Sequence, residues 1–188
     1  MNGYIRALLT IPNGYLKLGI TKLFHKKNVH FGSLPRVSAN TEISVDKGAE
    51  LEIGNRFNMR GSARIRVREN GKLVIGNNVS LNINNMIACH DSIEIGDDVQ
   101  FSPNVQIYDH DHDFRAEGGV KAGKYKTSPV KIGNNVWIGA NVVILRGTVI
   151  GDECVIAAGT ILKGMYPEKS IIISKSNFRP ITEEKANE

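Results

Sequence analysis

The sequence predicts an all-β solenoid built from hexapeptide repeats, with a non-repeating segment ahead of it and one loop thrown out of it. Three observations carry that prediction. Aliphatic residues recur every six positions at Ile132, Ile138, Ile144, Ile150, Ile156 and Leu162. Four residues further on, small or β-branched residues keep the same step at Val136, Val142, Thr148, Cys154 and Thr160. The composition agrees, because 22 Ile and 15 Val stand against 11 Leu, and 19 Gly with 18 Asn supply many turns. A period of six matches neither the 3.6 of a helix nor the 2 of a flat strand, and a fixed repeat of this kind decides the architecture before any local reading does.

Each element follows in order. Residues 1–40 do not repeat. There Arg6, Lys17, Lys22, Lys26 and Lys27 alternate with Leu8, Leu9, Leu16, Leu18, Ile20, Leu23 and Phe24, and the pattern predicts a helix with one basic face over Tyr15–Phe24. Such a segment can cap the open end of a solenoid or lie on a membrane surface, and the sequence leaves both readings open. Residues 41–165 are expected to form the coil. Within it, Ile53, Met59 and Ile65 form a degraded register, Ile75, Leu81, Ile87 and Ile93 a clearer one, and Ile95, Phe101 and Ile107 another two residues out of phase. Gly54, Gly76, Gly96, Gly133 and Gly151 each follow an Ile and precede Asn or Asp, which reads as a strand end and then a bend, with the Gly, Asn or Asp at positive φ. Three six-residue sides close a triangular coil, and stacked coils pair as parallel strands about 4.8 Å apart. The repeat breaks between Ile107 and Ile132, so residues 109–129, with Gly118, Gly119 and Gly123, read as a loop extruded from the coil. Loops on rigid scaffolds often carry function. Residues 166–188 form a polar tail.

Composition narrows the function. The 188 residues and 23% charged content fit one folded domain. The net charge of +5 is compatible with an anionic ligand or surface. Only 6% of residues are aromatic and no nucleic-acid motif accompanies the charge. Cys89 and Cys154 are far apart and have no CxxC spacing, which excludes a disulfide scaffold or zinc ribbon. No apolar run approaches the ~18 residues of a membrane span, and Ala7–Ile11 followed by Pro12 is too short for a signal peptide. A cytoplasmic location is expected.

The stretch from Pro129-Val-Lys-Ile-Gly-Asn-Asn-Val-Trp-Ile-Gly-Ala140 through Val155-Ile-Ala-Ala-Gly-Thr160 resembles the hexapeptide-repeat acyltransferases. The subgroup it resembles is that of the maltose, galactoside and nodulation-type O-acetyltransferases, with the polysaccharide O-acetyltransferases. The resemblance covers residues 75–165. It implies a left-handed parallel β-helix, an exception to the usual right-handed crossover. It also implies a homotrimer with sites between subunits, acetyl-CoA as donor, and a saccharide hydroxyl as acceptor, in surface polysaccharide synthesis. No metal is required by it.

The resemblance places a catalytic histidine just before the extruded loop, five residues after the aliphatic. In Ile107-Tyr-Asp-His-Asp-His-Asp113 that residue is His112, with His110 a nearby structural histidine. An imidazole suits the role because its pKa lies near working pH. A carboxylate or carbonyl on its second nitrogen is expected to fix the tautomer. The resemblance also places Asn82 and His90 against the acceptor, although relatives often carry Asp where His90 stands. Trp137, Gly139, Ala140 and Ala158 match the segment along the thioester arm, where Gly139 and Ala140 are expected to allow close approach. Lys163 and Arg179 are candidates for the CoA phosphates. The family's Gly-x-Pro-Ala ending is absent, and the chain reads Ile173-Ser-Lys-Ser-Asn-Phe-Arg-Pro180 instead.

Two other readings share the scaffold. A γ-carbonic-anhydrase-like zinc enzyme would need three converging histidines, for which His90, His110 and His112 are the candidates, but their spacing differs from that family's. A non-catalytic solenoid for binding or assembly would have no use for His112.

Overall fold

The computed structural model describes residues 3–174. Apart from one two-stranded antiparallel pair, its strands fall into three all-parallel sheets, two of seven strands and one of six, which form the faces of a left-handed parallel β-helix. Consecutive strands along the chain visit the first, second and third face in turn. The first face runs from Val29–Phe31 to Met165–Tyr166, the second from Arg36–Val37 to Ile171–Ile172, and the third from Glu42–Val45 to Ile161–Leu162. Inward residues stack in register. On the first face Leu51 pairs with Leu73, Leu73 with Ile93, and Ile93 with Val130, and all four are buried. Each fully buried rung of this kind contributes about 1.5–3 kcal/mol.

The corner between the first and second faces explains the Ile-Gly-Asn/Asp strings. Oδ1 of Asn77 accepts from the Asn55 N–H, that of Asp97 from Asn77, that of Asn134 from Asp97, and that of Asp152 from Asn134, at 2.6–2.9 Å. Each side chain thus caps the backbone of the coil before it. The sequence separations of these bonds, 22, 20, 37 and 18, give the coil lengths and account for the register slips. The glycine is needed for a reason other than the bend. A Cβ on Gly96 would sit 2.8 Å from the carbonyl carbon and oxygen of Gly133 in the next coil. Positive φ falls one residue after the first Asn or Asp, at Asn78, Asp98 and Asn135 as expected of an Asn or Asp, and at Arg56 and Glu153, which depart from that expectation.

The coil extends beyond the expected 41–165 at both ends. Val29–Phe31 already pairs with Leu51–Ile53, and Ile171–Ile172 still pairs with Val155–Ile156. Sides longer than six residues hide the first coil from a search in steps of six. The N-terminal helix is also longer than expected and spans Gly3–His25, with Pro12 inside it. It covers the open end of the coil. Leu18 is fully buried, Asn13 Nδ2 donates to the Val37 carbonyl at 2.8 Å, and Lys17 Nζ donates to the Thr41 carbonyl at 2.6 Å. Backbone groups with no coil beneath them are satisfied by this cap.

Replacing Gly96 by Ala should destabilise the protein by about 1–3 kcal/mol through overpacking between coils. Gly19→Ala, with open space around the new methyl, should stabilise by about 0.5–1 kcal/mol. Urea unfolding of both variants checks the pair, and equal effects would contradict the stacking account.

Candidate active site

The extruded segment is a hairpin. His110–His112 pairs antiparallel with Tyr125–Thr127, and the Ser128 N–H closes the base on the Asp109 carbonyl at 2.8 Å. The hairpin leaves the corner between the third and first faces, where His90 lies one coil earlier. Asp109 holds that corner together. Its buried carboxylate accepts from the N–H of His90 at 2.9 Å and of Asp91 at 2.7 Å, and lies 3.1 Å from His110 Nδ1. His90 and His110 stack with ring centroids 3.7 Å apart, and Tyr125 lies against both.

His112 projects from the same side of its strand as His110, and it is exposed. Its ring lies 4.7 Å from Tyr125, its cross-strand partner. Ion pairs tie down both of its sequence neighbours. Asp111 pairs with Arg146 on the coil, and Asp113 with Lys126 on the opposite strand at 3.1 Å. This anchoring fixes the backbone from which His112 extends. The expected carboxylate or carbonyl on the second ring nitrogen is not among the described residues of this chain. Next to the histidines, an open cleft of about 740 Å³ is lined by Arg66, Arg68, His90, Tyr108, His110 and Tyr125, among others. Arg66 pairs there with Glu42 at 2.8 Å, and Arg68 with Asp46 at 3.4 Å.

The other candidates lie elsewhere. Asn82 follows the second-face strand Ser80–Leu81, at the corner leading to the third face. Its Oδ1 accepts from the Ile83 N–H at 2.9 Å. Trp137 stands out from the second face, 57% exposed, with Nε1 3.3 Å from Ser102 Oγ. Gly139 is buried, and a Cβ there would meet the Ala158 nitrogen of the next coil at 2.6 Å. Its smallness therefore serves coil stacking. Ala140 borders the same corner, and its carbonyl accepts from the Gly159 N–H at 2.8 Å. Ala158 and Lys163 are exposed. Arg179 lies outside the described residues. One chain thus brings together His90, His110 and His112, and holds Asn82 and Trp137 on a different side of the prism. Sequence reasoning missed Asp109, Tyr125 and Arg146. Asp109 was visible as a carboxylate beside a histidine, whereas the other two carry no local signal.

Among the described residues no three His, Cys, Asp or Glu side chains are grouped so as to hold a metal ion. His90 and His110 lie ring against ring, tilted by 34°, where zinc would require convergence. The geometry does not carry the zinc reading.

Residues 129–164 match the family model described as bacterial transferase hexapeptide (six repeats). The chain is 33% identical to a probable acetyltransferase, Rv3034c, of Mycobacterium tuberculosis, over 84% of this chain and 51% of that protein. It is 30% identical to the putative lipopolysaccharide biosynthesis O-acetyl transferase WbbJ of Escherichia coli, over 65% of this chain and 66% of that protein. The chain thus spans about half the length of the first relative. Among solved structures it resembles a galactoside acetyltransferase in complex with coenzyme A, with TM-score 0.54 and 27% identity over 86% of this chain and 76% of that one.

Acid should weaken this corner. Burial raises the Asp109 pKa, but the donors from His110, Asp91 and His90 outweigh it and hold the carboxyl below its ordinary 3.8. Burial, aided by the nearby His110, holds His90 below its ordinary 6.5. In both cases the unfolded chain binds the proton more readily, so stability rises with pH. The His90 share is lost as pH falls below about 6.5, and the Asp109 share as it falls below about 4. Asp109→Asn should cost about 1–3 kcal/mol at neutral pH and remove the lower step. Urea melts across pH 3–8 check this, and an unchanged lower step would contradict it.

Proposed function

The chain belongs to the hexapeptide-repeat acyltransferase family, and on that footing we propose that it moves an acetyl group from acetyl-CoA to a saccharide hydroxyl, with His112 as general base. The observation that carries the reading is the anchored hairpin, which presents an exposed imidazole between two ion-paired aspartates. In the proposed step the imidazole takes the hydroxyl proton as the oxygen attacks the thioester carbonyl. The C–O bond forms, the C–S bond breaks, and the imidazolium returns its proton to the departing sulfur. Backbone N–H groups of the coil stabilise the oxyanion. Transfer is direct and needs neither a metal nor a covalent enzyme intermediate. Surface polysaccharide synthesis is the setting proposed, on the cytoplasmic side where acetyl-CoA is the donor.

A homotrimer completes the proposal. Asn82 and Trp137 belong to a different side of the prism from His112, so a second copy is needed to bring them to it. Exposed Trp137 and Ile171, aligned through Val155 on the second face, supply apolar surface for that contact. Acceptor groups Asn82 and His90 and donor groups Trp137, Gly139, Ala140, Ala158, Lys163 and Arg179 are assigned on this basis. A second reading takes His110 as the base, because Asp109 lies against its Nδ1 and His110 itself lines the cleft. Thiol release from acetyl-CoA against a panel of saccharides and sugar nucleotides separates the two. His112→Ala should lower acceptor-dependent turnover about a hundredfold or more. An unaffected rate, with loss in His110→Ala, would transfer the role to His110.

The N-terminal helix is also proposed to rest on an anionic membrane surface. Its coil-facing side buries Gly14 and Leu18, while Leu9, Leu16, Ile20 and Leu23 point away and are 49–70% exposed. Lys22, Lys26 and Lys27 flank that stripe, and no Asp or Glu precedes Glu42. Two such faces brought together would place lysines against lysines with no carboxylate between them, whereas anionic lipid complements both features. No helix among the described residues is long and apolar enough to cross a membrane. The protein should sediment with phosphatidylglycerol-containing vesicles and not with phosphatidylcholine alone, and the Leu16→Gln/Leu23→Gln variant should stay in the supernatant. Equal sedimentation of the two proteins would overturn this assignment.

A further inference from the structure

A cleft on the second face carries an unneutralised arginine cluster. Arg36, Arg56 and Arg60 surround a space of about 420 Å³, completed by Asn58, Ser80 and Gln100 among others. Among the described residues none of the three guanidinium groups has a carboxylate within ion-pair distance, and Arg60 Nε is buried with no hydrogen-bond partner. Asp97 and Asp98 border the far side of Arg56 without pairing with it. The neighbouring third face makes the contrast. There Arg64, Arg66 and Arg68 are all paired with Glu42 or Asp46. A buried charged donor without a partner is costly, and like charges gathered around one space repel. An anion in the cleft removes both costs.

The cleft lies close to the acceptor candidate Asn82 in the fold. Arg36 pairs in register with Asn58, and Asn58 with Ser80. The Arg60 N–H donates to the Leu81 carbonyl at 2.9 Å, so Arg60 lies one coil from Asn82, about 4.8 Å along the solenoid axis. Trp137 stands on the same face beyond Gln100. Arg36, Asn58, Ser80, Gln100 and Trp137 thus follow one line up the face, with Arg60 and Asn82 two residues further along the chain than Asn58 and Ser80.

We propose that Arg36, Arg56 and Arg60 form an acceptor subsite for a phosphate or diphosphate group, so that the acceptor is a phosphate-linked saccharide and not a free neutral sugar. This rests on the acyltransferase reading. Guanidinium groups suit it because they bind phosphate through paired N–H donors and keep their charge at any working pH. Nucleoside diphosphate sugars and lipid diphosphate sugars share that chemistry.

Calorimetry on the full chain tests the subsite with inorganic pyrophosphate, UDP and farnesyl diphosphate, each with CoA at saturation. At least one probe should bind beside CoA, more weakly at high salt. The Arg56→Ala/Arg60→Ala variant should lose about tenfold or more of that affinity and keep its affinity for CoA. Arg60→Lys should retain part of it. Preference for UDP or for farnesyl diphosphate over pyrophosphate identifies the source of the phosphate. Binding of CoA with no binding of any probe overturns the subsite and leaves the transferase reading intact. Displacement of the probe by CoA, or undiminished binding in the double variant, overturns it equally. Failure to bind CoA counts against the transferase reading alone.

Discussion

The close approach of one coil to the next at the glycine corner is the constraint on which the rest of this structure depends. Gly54, Gly76, Gly96 and Gly133 each abut the backbone of the following coil so closely that no Cβ fits between them. The following Asn or Asp then caps the coil behind through its side-chain oxygen. Together these two contacts set the stacking distance and the register, and the aliphatic ladder falls into line inside. Set at this corner, the constraint leaves the other sides free to vary in length. Coils of 18, 20 and 22 residues stack in one solenoid, as does one of 37 that carries the hairpin.

Asp109 repeats the capping device at another corner. A carboxylate from one coil accepts backbone N–H groups from the coil before it, here those of His90 and Asp91. At this position the corner is buried and the chain leaves the solenoid directly afterwards. The hairpin therefore starts from a fixed point. Arg146 fixes it again through Asp111, and Lys126 through Asp113. A histidine on such a support has a defined position without belonging to the core, as a proton-transfer group requires.

The repeat from Ile132 to Leu162 was legible because its side chains all point inward at a constant spacing. The glycines were legible as a recurring string, although their cause is steric and not conformational. The first coil was not legible, since Val29 and Arg36 reveal their pairing only against Leu51 and Asn58, 22 residues away in sequence. The length of the helix was hidden by Pro12, which interrupts the pattern without ending the helix. His112 came from a register count carried over from a resemblance. The Asp109–His90–Tyr125 arrangement depends on contacts between coils and across a hairpin, which no local spacing encodes. The same holds for the separation of His112 from Asn82 and Trp137. All three read as one site along the sequence, yet the prism places them on different sides of one chain.

That separation makes the shared site between copies the central claim, and subunit complementation tests it most directly. His112→Ala and Asn82→Ala chains, each inactive alone, would be unfolded together and refolded as a mixture. The account predicts recovery of about a quarter of wild-type activity, because half of the chains supply each intact side of a shared site. A mixture as inactive as its two components would contradict it, and would mean that each chain must build its site alone.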